Sequence, residues 1–198
     1  MTLLENYRET YRESSIPVLE TERLVLRAPR LEDAKAVVAL ASDRRVAENT
    51  ARIPHPYRTS DALEWITSVA AEEGKQTFVI TLAGTPIGAC GIDLREASTP
   101  ELGYWIGAAH WGQGYATEAA RAVIDHAFTD LRYEALQAGA RVSNPASRRV
   151  LEKCGFQWTG VGLYRIRAMN SSVPCDRFRL DRGIWTSLKG WANARRIG

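Results

Sequence analysis

The sequence predicts a mixed α/β (α+β) fold in which helices flank a largely antiparallel central sheet. Three observations lead there. Residues 77–82 and 87–94 are β-rich runs separated by Gly84, Thr85 and Pro86, the pattern of a hairpin. Ala116, Ala119, Ala120, Val123, Ile124, Ala127 and Phe128 recur at steps of three and four, which makes one apolar stripe on a helix. The elements then follow one another as a strand, two helices, three strands, a helix, a strand, a helix and two strands, with no linker dividing them.

In chain order, residues 1–20 are polar and carry two Tyr-Arg-Glu fragments, at Tyr7 and Tyr11, and read as an N-terminal arm with some helical character. Leu24, Val25 and Leu26 between charged residues form a first strand, ended by Pro29. Residues 31–42 are helix-like, with Glu32 and Asp33 at the positive end of the dipole. Pro54 and Pro56 break the loop around His55. Asp61 followed by Glu64 resembles a capping start for a helix reaching about Glu73. After the hairpin, residues 101–106 form an aromatic-rich strand that precedes the striped helix. A strand follows around 135–142, then a short helix with Ser147, Val150, Leu151 and Cys154 on one face, closed by Gly155. Residues 156–168 and 176–185 read as two final strands. Residues 21–186 thus make the domain, and 187–198 a basic tail with Arg195 and Arg196.

Composition excludes several classes. At 198 residues, 45% apolar and 25% charged, the chain is one globular domain rather than a disordered or fibrous one. Its densest apolar run, residues 36–41, is too short for a bilayer, and Glu5 interrupts the N-terminus before an apolar stretch develops, so no membrane partner and no secretory signal are expected. A net charge of +3 is mild, and nucleic-acid modules concentrate their positive charge, so nucleic acid is not an expected partner. The three cysteines, Cys90, Cys154 and Cys175, are far apart and form no CxxC. His55, His110 and His126 are equally scattered, so neither a metal nor a disulfide framework is expected and a reducing cytoplasm fits.

The informative stretch runs from Glu101 to Ala119: a strand, a loop holding Gly112 and Gly114, then directly the striped helix. A helix start presents unpaired N–H groups and a positive dipole end, and glycines let a ligand approach the backbone, which suits phosphate or pyrophosphate. A P-loop would need Gly-Lys-Ser/Thr here, and the dinucleotide pattern would need glycine where Thr117 stands. For the two glycines alone, a plain tight turn before a helix explains the loop as well.

A second cluster, Asn144-Pro-Ala-Ser147 followed by Gly155-Phe156, lies one strand beyond that helix. With it the chain resembles the GCN5-related N-acetyltransferase (GNAT) superfamily, and within it the RimJ/RimL-like branch of ribosomal-protein N-terminal acetyltransferases. The superfamily's acyl-CoA loop reads Gln/Arg-x-x-Gly-x-Gly/Ala; here it is Trp111-Gly-Gln-Gly114-Tyr-Ala116, with Trp111 in the usual basic or amide position. The resemblance covers about residues 20–186. It implies a GNAT-like sheet, acetyl-CoA as cosubstrate, and an amine acceptor, either a protein N-terminus or a small molecule; a homodimer is compatible with it.

By this resemblance, Gly112, Gln113, Gly114, Tyr115, Ala116 and Thr117 bind the pyrophosphate through their amides. The pantetheine arm pairs along Trp105 and Ile106 like an added strand, and Asn144 contacts it. Arg148 and Arg149 either meet the CoA phosphates or are solvated surface. A neutral amine must attack the thioester, and a carboxylate, directly or through water, can accept its proton. Glu101 is the candidate base, on one strand face with Gly103 and Trp105; the alternative is a surface strand-edge glutamate. A backbone N–H of residues 105–107 meets the developing oxyanion. Many members carry tyrosine where Leu151 stands, so the thiol donor falls to Ser147, which would otherwise be an ordinary first-turn residue; Tyr104 and Tyr115 are in reserve. Cys154 on the apolar stripe reads as packing rather than as an acyl carrier. A non-catalytic acyl-CoA-binding module would keep the glycine loop and Asn144 but have no use for Glu101.

Overall fold

The computed structural model describes residues 7, 16–71, 75–94 and 99–194. The remainder of the N-terminal arm and Arg195 and Arg196 of the basic tail lie outside the described residues. Leu24 and Leu26 of β2 (Leu24–Arg27) are buried while Val25 between them is 37% exposed, the two-residue period of a half-buried strand. β2 pairs antiparallel with β1 (Leu19–Glu20) and with β3 (Gln76–Leu82). β3 turns into β4 (Thr85–Asp93) through Ala83 and Gly84, both at positive φ (48° and 82°), which is what a two-residue hairpin loop demands. The sequence reading placed this turn at 84–86; Pro86 lies instead inside β4, opposite Thr81 at the register shift, where a missing N–H is tolerated.

β4 pairs antiparallel with β5 (Glu101–Ile106), and α4 (Tyr115–Thr129) then crosses over to β6 (Ala135–Arg141), which runs parallel to β5. β6 pairs antiparallel with β8 (Ser171–Asp181), and β8 with β7 (Gln157–Ile166). The eight strands stand in the order β1-β2-β3-β4-β5-β6-β8-β7, so the sheet is antiparallel except at one pair.

The sheet separates two helical layers. On one side lie α1 (Ala34–Ala41), the short α2 (Arg44–Ala47) and α3 (Thr59–Ala71). Val37, Leu63 and Ile66 form one cluster there, and Val46, Ala47 and Ile53 a second; Trp105 packs against both. α2 was not anticipated; Asp43 caps it by accepting from Arg45 N–H at 2.9 Å. Asp33 serves less as a dipole partner than as a bidentate partner of Arg27, at 2.8 Å on both oxygens. On the other side lie α4, α5 (Pro145–Lys153) and α6 (Arg182–Ala194). The predicted stripe of α4 (Ala119, Ala120, Val123, Ile124, Ala127, Phe128) is buried here against Phe78, Leu136 and Phe178.

The C-terminus departs from the sequence reading. The final strand ends at Asp181, and residues 182–194 are helix rather than strand followed by tail. Arg182 turns the chain by donating to the carbonyls of Phe128 (2.7 Å) and Tyr133 (2.6 Å). Trp185 stacks on Phe128 with ring centroids 5.2 Å apart and donates its indole N–H to Asp125 at 2.8 Å. These partners are more than 45 residues away in sequence, so tertiary contacts decide the element's type. Phe128→Ala is therefore expected to cost about 3–5 kcal/mol, read by urea unfolding, because it empties the junction of α4 and α6. Leu163→Ala, at a side chain 71% exposed, should stay within about 0.5 kcal/mol of the parent.

Candidate active site

The segment after β5 is built to leave N–H groups free. Gly107 N–H closes the β4 ladder on Ile87 O at 2.8 Å, and a single helical turn at Ala108–His110 leads into the loop. Gly112 and Gly114 take φ of +76° and +84°, which glycine adopts without strain. Gly114 is the N-cap of α4 and has no side chain to cap with. The first helical bond is Glu118 N–H to Gly114 O at 3.1 Å, so the N–H groups of Tyr115, Ala116 and Thr117 have no partner in the helix ladder. A side chain at Gly112 would meet nothing within 4 Å, and at Gly114 only Arg23 Nη2 at 3.4 Å. The loop is open where a ligand would have to approach.

Arg23 holds that loop, and sequence reasoning missed it. Its guanidinium donates to Gln113 O (3.0 Å) and pairs with Glu118 (2.6 Å), and it lies 4.6 Å over the Tyr115 ring. Thr21 Oγ1 (2.7 Å) and Arg23 N–H (2.9 Å) also donate to Glu118. Burial pushes the Glu118 carboxyl upward, but these donors together hold it below its ordinary value. No spacing rule links Arg23 to a loop ninety residues away. A cleft of about 960 Å³ runs along α4 from Gly114 to Asp130, and Thr21, Arg23, Gly114, Thr117, Arg121 and Lys153 are among its lining residues. Arg121 and Lys153 thus join Arg23 as basic groups lining this cleft. Arg148 is instead held by Glu152 (2.9 Å) and Asp176 (3.6 Å).

The second feature is a gap in the sheet. β5 and β6 share a ladder only over Glu101↔Gln137 and Leu102↔Ala138, and then part. The β4 register gives odd-numbered residues of β5 their hydrogen bonds to β4, so the backbone groups of Tyr104 and Ile106 face the gap. This narrows the expected cofactor-binding pair. Trp105 spends its backbone on Ala89 and its side chain on the α1–α3 side, leaving Ile106 as the edge residue. Ile106 O is taken by Trp111 Nε1 at 2.6 Å, so its N–H is the free half.

At the far wall of the gap, Asn144 caps α5 by accepting from Ser147 N–H at 3.1 Å. Tyr104 reaches across from β5: its phenol oxygen lies 2.9 Å from Ser147 Oγ and 3.1 Å from Ser147 O. Burial pushes the phenol well up, so it stays protonated and donates. Ser147 and Tyr104 therefore come together, while Leu151 is fully buried in the core. Cys154 is buried too, and desolvation pushes its thiol up to about 11, which leaves it inert at neutral pH. His110 packs against Tyr115, with ring centroids 6.4 Å apart. Glu101 is half-buried on the opposite face of β5, and its charge raises the Tyr164 phenol after desolvation has done so.

A family model described as an acetyltransferase (GNAT) domain matches residues 23–157. The chain is 33% identical over 149 residues to the uncharacterized N-acetyltransferase p20 of Bacillus licheniformis, covering 72% of this chain and 84% of the relative. Two solved structures share the fold. RimL, a ribosomal L7/L12 alpha-N-protein acetyltransferase in complex with coenzyme A, superposes with a TM-score of 0.74 at 14% identity, over 83% of this chain and 98% of that one. Spermidine N-acetyltransferase from Vibrio cholerae, in complex with CoA and spermine, gives 0.71 at 20% identity, over 84% and 99%.

The Arg23 network yields a two-step prediction. Arg23→Ala loosens Gln113 and leaves Glu118 without its counter-charge beside the helix start, so acetyl-CoA affinity should fall about tenfold or more by calorimetry. Adding Glu118→Gln should restore part of it. The Glu118 contribution to stability is present above the ordinary glutamate value of about 4.3. It is lost as pH falls through the lowered folded-state value, which a pH series of urea melts would read.

Proposed function

The chain belongs to the GNAT acetyltransferase family, an N-acetyltransferase that uses acetyl-CoA, and from that membership we propose that it acetylates a primary amine by direct attack in a ternary complex. The acceptor is a protein N-terminal α-amine or a small-molecule amine; the two fold neighbours act on one of each kind. The observation that carries the reading is the adjacency of two openings at the C-terminal end of β5: the uncapped start of α4 and the gap between β5 and β6. One fits an anion and the other an extended chain bearing amides, which are the two ends of a CoA thioester.

Acetyl-CoA, when bound, supplies a carbonyl open to attack and a thiolate leaving group. The amides of residues 112–117 hold the diphosphate, with Arg121 and Lys153 beside them. Ile106 N–H faces the gap and donates to the developing oxyanion. Glu101, on the other face, accepts the amine proton directly or through water. When Tyr104 O–H donates to Ser147 Oγ, the serine's own proton is free for the departing sulfur. A phenol proton shared with Ser147 O would withdraw that help, so the two hydroxyls act as one donor.

Gly114→Asp sets a charge and a strained side chain at the helix start. Acetyl-CoA binding should fall at least a hundredfold while the far-ultraviolet circular dichroism spectrum remains that of the parent. Unchanged affinity would remove the diphosphate from this loop. Glu101→Gln should slow thiol release about 10²-fold below neutral pH, where the amine is protonated. The deficit should shrink as pH approaches the α-amine value of about 7.7–8.0. A pH profile identical to the parent's would place the base elsewhere.

A further inference from the structure

On the sheet face opposite α4, Glu101 has neighbours that the transfer step does not use. Leu102 and Ala138 lie in the core under α4, so alternation puts Glu101 and Gly103 of β5, with Gln137 and Gly139 of β6, on the other face. Glu101 stands opposite Gln137, and Gly103 and Gly139 are the next positions on this face, just where the two strands part. Trp105, one step further along β5, is covered by the α1–α3 layer, but Gly103 is exposed. A Cβ on Gly103 would meet no described atom within 4 Å. The two glycines make a floor of bare backbone beside Glu101 and the gap.

Tyr164 reaches this floor from β7. β8 stands between β7 and β6, and the tyrosine side chain crosses it: a Cβ on Gly139 would fall 3.4 Å from ring Cε1 and 3.6 Å from the phenol oxygen. The tip of the side chain is therefore directed toward β5, the strand of Glu101 and Gly103. Arg177 backs the ring from the β7 side, with its guanidinium over Gly162 and its Cζ 5.8 Å from the ring centre. The Glu101 charge acts on the phenol, which burial in the first place and Glu101 in the second hold above its ordinary value. The hydroxyl keeps its proton at neutral pH, and its oxygen has lone pairs with which to accept.

We propose that the acceptor amine seats over Gly103 and that the Tyr164 phenol is its second polar contact, beside Glu101. An ammonium arriving there donates one N–H to the Glu101 carboxylate and another to the phenol oxygen. Glu101 takes the first proton, which leaves a neutral carboxyl and a neutral amine. The second N–H stays on Tyr164, and the freed lone pair is turned to the gap between β5 and β6. Positioning of this kind raises the rate because the nitrogen is already aimed when it becomes nucleophilic. The inference rests on the acetyltransferase reading, because that reading brings the amine to the Glu101 face.

The test uses the full chain, with acetyl-CoA for turnover and with saturating CoA for binding. The probes are alaninamide, which presents an α-amine, and spermine, a polyamine. Tyr164→Phe keeps the ring on Gly139 and removes the oxygen alone. Its kcat/KM for the amine should fall at least tenfold, while calorimetry finds acetyl-CoA affinity within twofold of the parent. Gly103→Ala sets a methyl group on the floor, at a strand position without positive φ, so the urea midpoint should not fall. KM for the amine should nevertheless rise at least tenfold. Gly190→Ala, on α6 and likewise clear of described atoms within 4 Å, should leave kcat/KM alone. Parental amine kinetics in either test variant, or a loss of acetyl-CoA affinity as large as the loss in kcat/KM, overturns the proposal and leaves the transfer reading standing. If the parent releases no thiol with either probe, the transfer reading fails and calorimetry of the amines on the CoA-saturated chain decides the seat. Binding weakened tenfold by Tyr164→Phe supports it; no binding, or equal binding in the variant, overturns it.

Discussion

β5 and β6 run parallel yet share a ladder over only two residues, and the site is built on what that short contact leaves open. A backbone N–H or C=O at a half-covered strand edge needs a partner. Ile106 O finds one in the Trp111 indole at 2.6 Å; Ile106 N–H is left to a ligand. On the α4 side, Tyr104 spans the gap to Ser147. On the other side, Glu101 and the glycine floor line it. One interruption thus gives the gap two chemically different walls, between which the proposed transfer would set the reacting carbonyl.

Much of this was legible in the residues. The α4 stripe, β5 at 101–106 and the α5 start at Asn144-Pro145 follow from periodicity and capping alone. The glycine loop was visible as a helix start without a capping side chain. What stayed hidden depends on partners remote in sequence. α6 carries Ile184, Trp185, Leu188 and Trp191 at helical spacing, a signal present in the chain but outweighed by the β-rich run before it. Arg23 gave no local signal, because its role lies in Gln113 and Glu118. The division of labour between Trp105 and Ile106 required the β4–β5 register, which fixes the direction of each amide. The basic groups at the loop are another case: the Arg148-Arg149 pair stands out in sequence, but Arg121 and Lys153 lie in the cleft.

The placement of Glu118 shows why the network around Arg23 has to be complete. A carboxylate in the first turn of a helix is favoured by the dipole, so Glu118 suits α4 as an isolated helix. The proposed function assigns the same turn to a diphosphate, and two like charges about 4 Å apart repel by about 4 kcal/mol at an effective dielectric of 20. Helix stability and anion binding therefore pull in opposite directions at this position. Thr21 Oγ1, the Arg23 amide and the Arg23 guanidinium resolve the conflict by spending the carboxylate on donors from the turn between β1 and β2. The guanidinium then reaches on to Gln113 O, so the group that neutralises Glu118 also holds the loop to which the proposed function assigns the diphosphate. Packing the edge of β2 against α4 is in this sense a requirement of the site and not of the core alone.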